Sequence, residues 1–363
     1  MMKKIFKWSI LATATLSLAA CGATSQKNNS QQSKTEKSAG TSASDGQVEV
    51  SLKGGLYIKP PVFNQSEDGT YLAVQLEFKN VSKDSVNVSD SDITVYDSSN
   101  NKVKLKTAIA DQSEAFQLLK SDQLAKDKKV SGYIVFPAEK GKKYEIQYDR
   151  KTYSSDKKSK PLKFTVDSSK YENKVENASV LADEYINQVY FSGQRKVDKD
   201  DQFVLGTDLK KERSDFRAKF ASDFTRQLHD YQFSNEEVTQ FIDAYEKENA
   251  KRAKLTYTVK EYLPDRVVIS LNPETVSMEK TILNHMQTFY QEHRKDYPNI
   301  IEANQAQNKV YREEMMASLK DRPLITPDRY DFQLTFVKKD GKWEVEKAYN
   351  SDSFMEKFEG NLS

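Results

Sequence analysis

One thiol, three imidazoles and 54 carboxylates are the groups in this 363-residue chain whose chemistry could act on another molecule. The thiol is Cys21, and with no second cysteine it forms no disulfide within the chain. An unpaired thiol in an exported protein is unusual and calls for a separate explanation. The imidazoles are His229, His285 and His293. The last two are eight residues apart, which on a helix separates them by about 12 Å, too far to share one ion. No His-Glu-x-x-His spacing occurs, so the three are expected to be solvated or helix-face side chains, and no metal is expected. Serine chemistry fares no better, because no Gly-x-Ser-x-Gly elbow is present. Phosphate loops need clustered glycines for close backbone approach, and the 12 glycines here are scattered. Carboxylates are so numerous that chance pairs are guaranteed, and an acid/base pair would also need a cleft and perturbed pKa values. The expectation is a protein that is not an enzyme and uses no cofactor.

The residues around Cys21 explain the lone thiol. Lys3, Lys4 and Lys7 form a positive start, and Trp8 to Ala20 is a short apolar stretch ending Leu18-Ala19-Ala20-Cys21. That stretch is too short for a permanent span, which takes roughly 20 residues. The ending resembles the lipobox of a bacterial lipoprotein signal peptide. The resemblance implies cleavage between Ala20 and Cys21 and transfer of a diacylglyceryl group, often with a third acyl chain, to Cys21. Two or more chains hold a protein stably, at about 0.8 kcal/mol per buried CH2. An ordinary secretory leader with a coincidental cysteine is the plainer alternative, and it leaves the thiol unexplained. The lipid-anchored reading puts the protein on the extracytoplasmic face of the cell membrane, with the membrane as its first partner. Some such leaders also yield short apolar signalling peptides, and Thr15-Leu-Ser-Leu-Ala-Ala20 could be one.

Loss of the leader takes three of the 56 basic residues and leaves 53 against 54 acidic ones. A near-neutral mature chain with interspersed charge has no field that favours nucleic acid. Residues 22–47 contain no aromatic and no branched aliphatic residue, so the segment 21–47 is expected to be a lipidated cysteine followed by a disordered spacer. Its reach is roughly 25–30 Å at 5–6 Å × √n. A long polar spacer of this kind is more typical of single-membrane, Gram-positive bacteria.

The elements follow from hydrophobic period. From Val48 the period is two: Leu72, Val74, Leu76 and Phe78 share one face, with Gln75 and Glu77 on the other. Short runs at 93–96, 103–105, 132–136, 144–148 and 162–166 predict further strands, with Asp97–Asn101 as a hairpin turn and helix at most over 114–124. This predicts a two-sheet β-sandwich over 48–167. The segments LAVQLEFKNVSKDSVNVSDSDITVYDSSNNKV and SGYIVFPAEKGKKYEIQYD resemble an immunoglobulin-like domain of unknown function common behind the lipobox of Gram-positive lipoproteins. That family implies a fold and an extracellular setting, not a reaction.

After Asp167 the period becomes 3.6. Ala178–Phe191 predicts a helix with a broad apolar stripe, and the next helix repeats Phe216, Phe220, Phe224 and Leu228 every four residues, with Asp215, Lys219, Asp223 and Gln227 facing away. Ser234-Asn-Glu-Glu237 is a capping-box start for a third helix. Strands are predicted at 254–262, 266–271, 330–338 and 342–348, with Asp340-Gly341 as a hairpin turn and two helices, broken at Pro298, inserted over 274–322. The layout over 168–363 is α+β, helices packed on a curved antiparallel sheet. Its ending KKDGKWEVEKA resembles the last hairpin of cystatin-like and nuclear-transport-factor-like domains, and the whole region is similar to a lipoprotein domain of unknown function often paired with the sandwich.

Several patterns could serve recognition or packing. The Phe216/Phe220/Phe224 stripe is expected to be core, although in a cone-shaped fold it could line a pocket. Met278, Met286, Met315 and Met316 are expected to pack the inserted helices. Tyr57, Tyr71, Tyr96 and Tyr133 read as ordinary strand tyrosines, and the Asn80-Val-Ser82 sequon as meaningless in a bacterium. The functional expectation is a non-catalytic surface protein that binds an unknown envelope or extracellular protein. The alternative is a carrier of a small ligand held in the C-terminal domain.

Overall fold

The computed structural model describes residues 42–61, 69–110, 113, 115–151, 160–278, 288–289, 291–326, 332–346, 351–360 and 362. Ala20, Cys21, the leader and most of the polar segment behind it lie outside the described residues.

The polar segment is folded at its end. Ser42–Ser44 (β1) pairs with Glu49–Ser51 of β2 (Val48–Ile58). The turn between them is built by Asp45, whose Oδ1 accepts from the amides of Gln47 and Val48, both at 2.8 Å, and by Gly46 at φ 85°. An edge strand of this kind is held by main-chain hydrogen bonds, so Ser-Ala-Ser needs no apolar side chains to form it. The expected boundary at 47 was drawn on hydrophobicity, which is blind to this.

The β-rich region has the predicted alternation. β2, Tyr71–Asn80 (β3) and Lys129–Pro137 (β8) form an antiparallel sheet in the order β1-β2-β3-β8. A second sheet runs β10-β9-β5-β6, from Leu162–Asp167, Lys143–Tyr148, Ile93–Tyr96 and Lys102–Val103. The two pack face to face through pairs such as Phe78–Tyr148, with ring centroids 4.9 Å apart, and Phe136–Tyr144 at 5.2 Å. The predicted hairpin at Asp97 is present: its Oδ1 accepts from Ser99 and Asn101, and Asn100 takes φ 62°. No helix forms at the described positions of 114–124. Residues 117–119 instead lie along the edge of β8, with Leu119 N–H donating to Tyr133 O at 2.9 Å. Gly132 allows that approach, since a Cβ there would sit 2.5 Å from Leu119 Cα. A two-stranded ribbon of Val86–Val88 (β4) and Asp122–Leu124 (β7) was not foreseen. Asn80 braces it, fully buried, with Nδ2 donating to Asp84 O and Leu124 O. The sequon asparagine is therefore a structural side chain.

The helical region begins with Ser179–Tyr190 (α1), Leu209–Gln227 (α2) and Asn235–Arg252 (α3). Both halves of the capping box at Ser234 and Glu237 are made. A sheet follows in the order β11-β12-β14-β15: Lys254–Tyr262, Arg266–Val276, Phe332–Lys339 and Lys342–Glu346. Leu324–Ile325 (β13) pairs with the far end of β12, which is five residues longer than its apolar run predicts. Asp340 and Gly341 both take positive φ, 49° and 82°, at the β14–β15 turn. The outer edge of β15 is covered by residues 202–207, where Trp343 N–H donates to Val204 O and its indole to Gln202 O. Of the two inserted helices, Ile300–Ser318 (α4) is present, capped by Asn299 just after Pro298. The core of the first lies outside the described residues. A further helix, Ser351–Glu356 (α5), with a 3-10 turn over Lys357–Glu359, has no clear sequence signal.

The seam between the regions is built into both. Lys59 and Tyr262 exchange backbone hydrogen bonds of 2.9 and 2.7 Å, and Leu263 packs with Ile58 and Phe116. One core cluster runs from Val48 to Leu362 through both regions.

Candidate functional site

An open cleft of about 520 Å3 lies at this seam, lined chiefly by Asp265, Arg266, Lys338, Lys339 and Glu346, with Ser113 from the β-rich region. Strand register brings these residues together. Arg266 opens β12 opposite Val337, and Val337 pairs in turn with Glu344 of β15, one residue pair from the turn-proximal Lys338. Lys338 N–H donates to Asp265 O at 2.8 Å and closes the strand ends on the loop between β11 and β12. The Arg266 guanidinium reaches Glu346 Oε2 at 3.2 Å and lies 3.5 Å from Oε2 of the buried Glu261. Lys338 extends over the Trp343 ring, 5.2 Å from its centroid. Burial pulls its ammonium below the ordinary lysine range, against the opposing charge of Asp265. The buried Oδ1 of Asp265 has no hydrogen-bond partner. Fixed cationic donors beside carboxylates suit recognition of a polar, charged group, and such sites favour seams between structural units.

Two other places gather polar side chains. A groove between α3 and α4 holds Phe233, Glu237, Arg312 and the exposed Met316. Its arginine is committed, with Nε donating to Glu237 Oε1 at 3.0 Å and Nη1 to Tyr231 O at 2.9 Å. The second place is a buried cluster that ties three helices together. Glu246 of α3 accepts from Ser192 after α1 and from Arg213 and Arg217 of α2, the latter two at 3.0 and 2.8 Å. Burial raises the Glu246 carboxyl, while Ser192, Arg217 and Arg213 pull it down.

The residues singled out in the sequence are dispersed. His229 sits on the surface with Nδ1 3.1 Å from Arg226 O, and His293 is 3.0 Å from Asp296 Oδ2. His285 lies outside the described residues. Among the described residues, no three His, Cys, Asp or Glu side chains gather as a metal site would require. Phe216, Phe220 and Phe224 are fully buried and packed on Tyr190, Tyr245, Phe233 and Phe241, so the stripe is core. Met278 and Met315 are buried in that core, Met316 is exposed, and Met286 lies outside the described residues. Tyr57 is fully buried, whereas Tyr71 and Tyr133 pack partly buried on the outer face of the first sheet. The cleft residues carry no motif. Only the Lys-Lys-Asp-Gly hairpin hints at them, and it does not place Arg266 or Asp265 alongside.

No helix among the described residues is long and apolar enough to cross a membrane. Fold and sequence together define a β-rich region followed by a helical region, of a kind found in bacterial lipoproteins. Residues 37–160 match the model of a domain of unknown function, DUF4352. The chain is 29% identical to the lipoprotein YcdA of Bacillus subtilis over 167 residues, a match that covers 46% of this chain and only 44% of that protein. The crystal structure of Bacillus subtilis YcdA aligns over 88% of this chain and 98% of its own, with a TM-score of 0.63 at 20% identity, which shows a shared fold. The yjhA protein of the same organism aligns to 35% of this chain and 95% of its own, with 16% identity and a TM-score of 0.27. The chain is thus homologous to a lipoprotein and carries a region matched by a domain family without assigned function.

Proposed function

We propose that this is a lipid-anchored protein of the extracytoplasmic membrane face that works by binding, not by catalysis, in the cell envelope. The observation that carries it is the Leu18-Ala-Ala-Cys21 ending of the leader, whose lone thiol is otherwise unexplained, beside homology to a lipoprotein. The face-to-face sheets of the β-rich region support reading it as an immunoglobulin-like sandwich, an architecture that serves recognition as readily as support. Within the binding reading, the seam cleft at Arg266, Lys338 and Lys339 is the contact surface, and its charged groups pair with one another instead of flanking a nucleophile.

Cys21→Ala removes the acyl acceptor. The variant should escape lipoprotein processing and leave the membrane fraction, as should wild-type protein made in the presence of globomycin. Unchanged leader cleavage and membrane retention would refute the anchor. For the binding half, a photo-crosslinking amino acid at Lys339 should give a discrete adduct on whole cells, and the same group at Lys102, on the far sheet, should not. Equal or absent adducts at both positions would remove the cleft from consideration.

A further inference from the structure

The segment Ser351–Glu359 with Gly360 lies across the α1, α2 and β12 elements as a strap. Phe358 stacks on Tyr190 with centroids 4.1 Å apart, and Phe354 reaches Tyr190 at 5.8 Å and Phe332 at 5.9 Å. Beyond these aromatic anchors two hydrogen bonds reach its main chain: Thr275 Oγ1 donates to Lys357 O at 2.9 Å, and Met278 N–H to Gly360 O at 2.7 Å. The strap also carries two carboxylates onto a third. Lys219 of α2 pairs with Asp223 on its own helix and lies 3.6 Å from both Glu356 and Glu359 of the strap. Glu359 is almost fully buried, and its Oε1 has no hydrogen-bond partner.

We propose that the strap is charge-gated: docked while the carboxylate cluster around Lys219 holds an added proton, and released from its aromatic seat as that proton leaves. Three carboxylates on one ammonium leave an excess of negative charge at the contact. Among the described residues, the other cation paired with the cluster is Arg226, an exposed side chain bound to Asp223 at 2.6 Å. Tyr190 of α1 and Tyr245 of α3 face Glu359 as well and stay neutral, their hydroxyls held above the ordinary range by burial. β12 faces the strap with Thr275 and Val276, which bring no charge.

Burial pushes the Glu359 carboxyl up to about 7, with Lys219 pulling against it and Asp223 and Glu356 adding to the rise. A carboxyl raised in the docked state favours docking when protonated. The advantage is complete at acidic pH, falls as pH climbs past the free-carboxyl value of 4.5, and is spent above about 7. From those two values the strap should open about tenfold more at pH 8 than at pH 6. Opening would uncover Tyr190, Phe191 and Phe332, an aromatic face suited to an apolar or amphipathic partner.

Hydrogen exchange of the full chain, corrected for the intrinsic pH dependence of the chemistry, tests this. Amides of 351–362 should lose about tenfold in protection between pH 6 and pH 8 while β12 and β14 stay protected. Glu359→Gln, which keeps the volume and removes the charge, should show the same protection at both pH values. Phe358→Ala should raise strap exchange at both, by removing its seat. Equal wild-type protection at the two pH values, a pH dependence that survives in Glu359→Gln, or strap exchange unmoved by Phe358→Ala would each overturn the proposal.

Discussion

Phe220 shows how a single side chain is specified here. It lies in a four-residue repeat with Phe216 and Phe224, and the structure buries it completely against Tyr245, 5.4 Å from centroid to centroid. Truncation leaves a cavity between two helices whose backbones are tied by the Glu246 cluster and have little freedom to collapse. Phe220→Ala should therefore cost on the order of 3–5 kcal/mol in a urea titration, with an unchanged m-value. A loss below about 1 kcal/mol would mean the site is far more plastic than its packing implies. The opposite face of the same helix carries contacts that its period does not encode. Lys219 and Asp223 face away from the Phe stripe, yet Lys219 lies 3.6 Å from both Glu356 and Glu359 of the strap. Helical period gives the azimuth of a side chain. It does not say whether a distant segment will return to lie over that azimuth.

Among the elements, those with local chemistry were legible. α3 starts at Ser234 because Ser234 Oγ accepts from Glu237 N–H while the Glu237 carboxylate accepts from Ser234 N–H. Ser234→Ala should cost about 1 kcal/mol, measured by denaturant unfolding, and should raise the exchange of the first-turn amides of α3 before those of its last turn. The hairpins at Asp97 and Asp340-Gly341 were equally readable, since their positive-φ residues are Asn, Asp and Gly. The elements missed share one property: they are held by something far away in sequence. β1 is a run of small polar residues paired to β2, β4 and β7 meet across 36 residues, and α5 is shaped by its aromatic seat. The cleft belongs to the same class. Strand register and the Lys59–Tyr262 seam bring Arg266, Asp265 and Lys338 beside Ser113, and no local pattern encodes that meeting.

At the scale of the molecule, one hydrophobic cluster of the described residues runs through both regions, and the Tyr171 ring lies against Gly55 of β2. Leu263 sits fully buried on the outer face of the first sheet. Regions that share buried side chains cannot unfold one at a time without exposing each other's core. Calorimetry should accordingly give one endotherm with calorimetric and van't Hoff enthalpies in agreement. Two separated transitions would show the seam to be too weak to couple them. The amino-acid order alone is enough for the change of period from two to 3.6 near Asp167, the helix caps and the tight turns, because each depends on interactions within a few residues. Chain return decided the rest: the continuous core, the covered face of α2, the strap and the charged cleft. Those features come from contacts between residues tens to hundreds of positions apart, and which distant segments meet is settled by burial of the entire chain at once.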